Sequence, residues 1–140
     1  MYLLDTNVIS EIRKLRTGRM DPQVETWLGR TGASYQFLSA ITVMELEIGT
    51  LQMERRDPRQ GELLRRWIEQ AVLPAYNGRV INVDAEVARR CASLHVPDPC
   101  SYRDALIAAT ALVHGMTVVT RNVNDFLRTG VRVLNPWETL

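Results

Sequence analysis

Short runs of apolar residues alternate along this chain with longer stretches in which apolar residues recur at helical spacing. The first run, Met1 to Leu4, ends on a carboxylate, Asp5. Val8, Ile9, Ile12 and Leu15 follow at helical spacing, which predicts a buried strand, a tight turn and a helix. Arg16 to Pro22 reads as a loop. Asp21 then caps a helix with Pro22 at its first position and Val24, Trp27 and Leu28 as its stripe. Tyr35 to Ile41 is a second apolar, aromatic run and reads as a strand. Thr42 opens a helix to about Glu54, and Arg55 to Gly61 is a polar break. Glu62 to Leu73 is helical again. Val80 to Val83 reads as a third strand, and Asp84 caps a helix from Ala85 to about Leu94. After a loop from His95 to Ser101, Tyr102 to His114 forms the most apolar helix, stopped by Gly115. Thr117 to Thr120 and Val131 to Leu134 are the last strands, with a helical turn from Asn122 to Leu127 between them.

Strands that alternate with helices predict an α/β class with a mainly parallel sheet of about five strands. A chain of 140 residues predicts one domain, 1–140, with a core that needs no staples. Asp5 then sits at the carboxyl end of a strand, where open α/β sheets keep their sites.

Composition adds little to this picture. No apolar run is long enough to span a membrane, and a strand starting at Met1 leaves no room for a signal peptide, so a cytoplasmic location is expected. Cys91 and Cys100 lack CxxC spacing and a nearby histidine cluster, and read as buried thiols in a reducing compartment. The net charge of +1 does not advertise nucleic-acid binding, although 16 of the 17 basic residues are arginines, whose forks suit phosphate.

The candidate chemistry lies in four acids. Asp5 ends the first strand, Glu45 follows the second, Asp104 starts the apolar helix and Asp125 follows the fourth strand. Each has a plain reading as a helix cap or a partner of the helix dipole. Thr42-x-x-Glu45 has the form of a capping box, and Ser101-x-x-Asp104 and Asn122-x-x-Asp125 resemble one. As a set they say more, because wound parallel strands present the following helix starts along one rim. Clustered carboxylates repel unless a cation compensates, and oxygen-only ligands suit Mg²⁺ or Mn²⁺. Asp84 shares the local signature. His95, with no partner nearby, and His114, at a helix end, read as structural.

These residues resemble a known family. Leu3-Leu4-Asp5-Thr6-Asn7-Val8-Ile9 resembles the opening motif of PIN-domain ribonucleases, and Ser39 to Leu46 resembles their second motif. Asp104 to Ala111 resembles the third, and Val119-Thr120-Arg121-Asn122-x-x-Asp125-Phe126 the fourth. Within the family the chain looks most like the VapC toxins of bacterial toxin–antitoxin pairs, in the branch that includes the FitB proteins. The resemblance implies a three-layer α/β/α PIN-like fold. It also implies an endoribonuclease that uses Mg²⁺ or Mn²⁺ and a metal-activated water, is neutralised by a VapB-like antitoxin, and forms homodimers and toxin–antitoxin hetero-oligomers. Asp5, Glu45 and Asp104 match the metal-binding acids, with Asp125 or Asn122 at the fourth position, and Thr6 and Thr120 match supporting hydroxyls. Arg13, Lys14, Arg16, Arg103 and Arg121 are candidates for gripping RNA phosphates. The apolar stripe of Leu63, Leu64, Trp67 and Ile68 is a candidate partner surface. Two other readings compete: a phosphatase with an aspartyl nucleophile, which would favour a second Asp where Asn7 stands, and a binding module whose acids only cap helices.

Overall fold

A computed structural model describes residues 1–138 of the chain. Its layering follows from two adjacent leucines. Successive side chains of a strand point to opposite faces, and Leu3 and Leu4 enter different apolar clusters, each fully buried. Val118 and Val119 repeat the arrangement one strand away. A parallel sheet buried on both faces needs cover on both, and the result is a three-layer α/β/α fold.

The central strand β1 (Tyr2–Leu4) lies between β2 (Gln36–Ser39) and β4 (Thr117–Val119), with β3 (Val80–Ile81) and β5 (Val133–Leu134) at the edges. All four pairings are parallel. The Leu4 face is covered by Val8 and Ile9 of α1 (Thr6–Ile12), Trp27 of α2 (Pro22–Arg30) and Leu46 of α3 (Ala40–Arg56). The hairpin helix α4 (Pro58–Trp67) continues through a π turn, Ile68–Val72, into α5 (Leu73–Ala75), and Ile68 and Val72 join the same cluster. The Leu3 face is covered by Ile107, Ala108 and Ala111 of α7 (Tyr102–His114) together with Phe126. The helix α6 (Ala85–Leu94) packs on α7 through Val87 and Cys91 against Ala105 and Ala109.

Several boundaries differ from those read in the sequence. The second strand stops at Ser39, whose hydroxyl accepts the Ile41 N–H at 3.0 Å, so α3 starts at Ala40 and not at Thr42. The supposed polar break from Arg55 to Gly61 shrinks to one residue. Asp57 accepts the Gln60 N–H and Pro58 takes the first helical position, which restarts the chain as α4 at once. Gly61 makes the tight hairpin possible, since a Cβ there would lie 2.5 Å from the Glu54 Cα. The first helix ends at Ile12 and tightens into a 3-10 turn, Arg13–Thr17, which leaves Leu15 53% exposed and outside the stripe. The third and fifth strands are two residues each. Among the described residues no helix is long and apolar enough to cross a membrane.

The flanking strands β2 and β4 are reached from β1 in opposite directions along the sheet, so a crevice opens at the carboxyl end of β1. Asp5 lies there, its backbone N–H still in the ladder on Val119 O at 2.9 Å.

Candidate active site

Asp5 is the N-cap of α1 and accepts the Thr6 N–H at 2.8 Å, so the plain capping reading holds for it in part. Its second oxygen is held from across the sheet. Thr120 Oγ1 donates to Asp5 Oδ2 at 2.8 Å and itself accepts the Asn122 N–H at 3.0 Å and the Asn7 Nδ2 at 3.1 Å. Asn7 Oδ1 accepts the Arg121 N–H at 3.2 Å. The loops after β1 and β4 are therefore tied together through Asp5, Asn7 and Thr120, which fixes the Asp5 rotamer. The amide of Asn7, placed between Asp5 and Thr120, also argues against a nucleophilic Asp with a second acid two residues on.

The capping reading fails for the other acids. The N-cap of α3 is Ser39, so Glu45 sits in the second turn of α3. Its Oε1 accepts the Thr6 hydroxyl at 2.8 Å. Thr42, the other half of the supposed capping box, is buried with its hydroxyl unpartnered. Ser101 makes no side-chain cap bond to α7, and the Asn122 side chain caps nothing on the turn Val123–Thr129. Asp104 and Asp125 make no side-chain hydrogen bond or ion pair among the described residues. Asp84, by contrast, is a plain cap that accepts the Val87 N–H at 2.9 Å on the α6 side of the molecule.

Asp5, Glu45 and Asp104 line one open cleft of about 420 Å³ with Asn7, Lys14 and Arg121. Asp125 lines the adjoining cavity, and Asn122 lies between the two. The four charges feel one another. Burial raises the Asp5 carboxyl above its ordinary value, Thr120 and the Thr6 N–H pull it down, and Glu45 and Asp125 push it up. Burial also lifts Asp104, and the charges of Asp5, Asp125 and Glu45 add to it, bringing it to about 6. Among the described residues the cation paired with one of these four acids is Arg103, whose guanidinium reaches Glu45 at 3.7 Å from an exposed position.

The donor set of the cleft is all oxygen, which fits a hard divalent cation. Among the described residues no three His, Cys, Asp or Glu side chains stand close enough to hold an ion as they are. Separation of like charges is the expected response to mutual repulsion, and Asp104, free of hydrogen bonds, has nothing to hold it back from a bound ion. Because the Asp104 carboxyl titrates higher in the folded than in the unfolded chain, the native state holds the extra proton between about pH 4 and about 6. Its stabilising contribution is present below the unfolded value and is lost as pH rises through about 6. In EDTA, Asp104→Asn should therefore melt at the wild-type temperature near pH 4 and above it at pH 7, and saturating Mn²⁺ should close that gap. A gap independent of pH would contradict the electrostatic description.

The structure separates the basic candidates. Lys14 and Arg121 line the cleft, with Arg121 lying over the Trp137 ring at 5.2 Å, and Arg13 lines the cavity beside it. Arg16 lines neither, and Arg103 meets Glu45. Of the proposed partner stripe, Ile68 belongs to the core while Leu63 is 48% exposed. Leu64, Trp67 and Ile68 border a groove of about 210 Å³ with Thr6, Glu45 and Thr50.

Four residues of the cleft were not assigned to the site from sequence. Asn7 binds Asp5 and Thr120. Glu11 is a fifth, buried acid at the cleft wall, and Ser10 and Trp137 line the cleft as well. Glu11 could have been suspected from Lys14, three residues on and 3.0 Å away. His95 also departs from expectation, because it does have partners. Its Nδ1 accepts the Cys100 N–H at 3.2 Å, and the Cys91 and Cys100 sulfurs lie 3.7 and 3.8 Å from its two ring nitrogens. Both thiols are free, and burial pushes that of Cys91 up.

The PIN domain family model matches residues 2–131. A protein of Sinorhizobium fredii named VapC ribonuclease Y4jK is 38% identical over 143 residues, which cover 99% of each chain. Toxin FitB of Neisseria gonorrhoeae is 38% identical over 143 residues, covering 98% of this chain and 99% of that one. Among solved structures, the crystal structure of FitAcB from Neisseria gonorrhoeae superposes with a TM-score of 0.88 at 35% identity, over 99% of this chain and 100% of that chain.

Proposed function

The chain belongs to the PIN-domain family, and on that premise we propose that it is a divalent-metal-dependent endoribonuclease, the toxin of a VapBC-type toxin–antitoxin pair. The observation that carries the reading is the convergence of Asp5, Glu45 and Asp104 on one cleft at the end of the central strand, with Asp125 close enough to raise the carboxyls of Asp5 and Asp104. Similarity to a VapC ribonuclease and to toxin FitB over nearly the whole chain supports it.

Asp5, Glu45 and Asp104 are the residues that would hold Mg²⁺ or Mn²⁺, with Asp125 assisting from the adjoining cavity. Such an ion supplies positive charge for the scissile phosphate and lowers the pKa of water. The chain's own contributions are positional. Thr120 and the Thr6 N–H keep one Asp5 rotamer, and the Thr6 hydroxyl does the same for Glu45, so one threonine sets both first ligands. Lys14 and Arg121 place cations on the cleft wall, where a phosphate backbone would sit. Asn122 lines the cleft and the adjoining cavity without capping a helix, and an amide oxygen is a weaker ligand for a hard cation than Asp125.

In this reading a VapB-like antitoxin covers the groove beside α3 and α4 and a second copy of the chain completes a homodimer. Strong expression of the chain alone should arrest bacterial growth, co-expression with its cognate antitoxin should restore it, and Asp104→Asn should be harmless at equal soluble yield. Unimpaired growth with abundant soluble wild-type protein would count against the toxin reading.

A further inference from the structure

Next to the acid cleft lies a second cavity, about 600 Å³, lined by Ser10, Arg13, Lys14, Thr17 and Arg19. The two share Ser10 and Lys14, so one continues into the other. Its wall carries three cations, two hydroxyls and no acid. Among the described residues Arg13 and Arg19 form no ion pair, and all three cations are exposed to solvent.

This wall is built into the fold. The 3-10 turn Arg13–Thr17 ends at Gly18, whose φ of 68° is the left-handed conformation that reverses the chain and carries Arg19 back toward Arg13. The Arg19 N–H donates to Lys14 O at 3.2 Å, and the Thr17 hydroxyl donates to the same oxygen at 2.9 Å. Met20, just beyond, is buried. The buried carboxylate of Glu11 fastens both ends of the loop. Its Oε1 holds Lys14 Nζ at 3.0 Å, and its Oε2 accepts the Asp21 N–H at 2.8 Å. A mobile basic loop would lose much of its binding energy in becoming ordered, and a loop pinned in this way does not.

We propose that this groove is a phosphate-backbone subsite that receives the single-stranded RNA on one side of the bond cut in the acid cleft, with Arg13 and Arg19 as its contacts and Glu11 as the positioning residue of the loop. The proposal rests on the ribonuclease reading. A polyanion with one phosphate at the acids must leave the cleft along its wall, and this exit carries unpaired positive charge. Arg19 is thereby assigned to substrate, and Arg16, which lines neither cavity, is not.

The test uses Asp104→Asn protein, so that nothing is cut, and a fluorescein-labelled single-stranded RNA oligonucleotide read by anisotropy between 50 and 300 mM salt, conditions chosen to expose counterion release on the order of one ion per contact. Adding Arg13→Gln and Arg19→Gln together should weaken binding at low salt and reduce the slope of log K against log salt by about 1.4, roughly 0.7 for each lost phosphate contact on a single strand. Adding Arg16→Gln should leave the slope unchanged, and thermal melts should be alike for both. Tight binding with an unchanged slope in the double variant overturns the subsite while leaving the ribonuclease reading standing. If in addition the double variant binds antitoxin more weakly, the groove belongs to a protein partner. No measurable RNA binding by the Asp104→Asn protein itself overturns both readings.

Discussion

Asp104→Asn should slow RNA cleavage by about 100-fold or more at saturating metal, the scale on which loss of one electrostatic stabiliser slows an enzyme. The substitution keeps the volume and the shape of the side chain and removes only the charge. Asp104 makes no hydrogen bond that the change would break, and it does not cap α7, so the fold loses only the small dipole interaction of an acid in the first turn. Its carboxyl, held at about 6 by burial and by Asp5, Asp125 and Glu45, is a group whose ionisation costs energy that a bound cation would offset. The effect should fall on kcat, with a melt no lower than wild type at neutral pH in EDTA. A fully active Asp104→Asn enzyme would remove Asp104 from the chemistry and with it the three-acid assignment.

Phe126→Ala should destabilise the protein by about 3–5 kcal/mol, the range for emptying a well-packed aromatic site. Among the described residues Phe126 is the largest fully buried side chain, and it packs with Leu3, Ile107 and Val118 on one face of the sheet. It is also the anchor of the turn that carries Asp125. Melting temperature should drop by about 10 °C or more, and activity should decline along with it as Asp125 loses its fixed place. The neighbouring Leu127 is 64% exposed, so Leu127→Ala should stay within about 0.5 kcal/mol of wild type. Urea or thermal melts of the two variants make the comparison, and equal losses at 126 and 127 would contradict the packing described here.

Residues adjacent in sequence carried most of what could be read without coordinates. Leu3-Leu4 before Asp5 encodes a doubly buried strand that ends at a crevice, and the helix start behind Ser101 follows from local pattern. Sequence could also suggest that Asp5, Glu45 and Asp104 come to one rim, because parallel winding leaves few other places for them. The capping boxes misled because they are local patterns too. Ser39 took the cap that Thr42 seemed to offer, and the Asp57-Pro58 start signal was hidden inside a polar stretch. The resemblance named Thr6 and Thr120 as supporting hydroxyls, but local spacing could not give the bonds they make. The bond from Thr120 to Asp5 joins residues 115 apart, and that from Asn7 to Thr120 joins residues 113 apart. His95 meets Cys91, four residues before it on α6, through helical spacing, and Cys100 because the loop after α6 folds back onto its ring. The bonds among Asp5, Asn7 and Thr120 depend on the register of β1 against β4, which no local spacing encodes.

The proposed function requires the acids of one cleft to act together through a divalent cation on RNA. It is tested most directly by stripping the purified chain of divalent ions and following cleavage of a labelled single-stranded RNA as Mn²⁺ is added back. No cleavage is expected in EDTA, with a saturable return of activity on adding Mn²⁺ that is absent from Asp104→Asn protein at every concentration. Cleavage by the wild-type chain that continues undiminished in EDTA would contradict it.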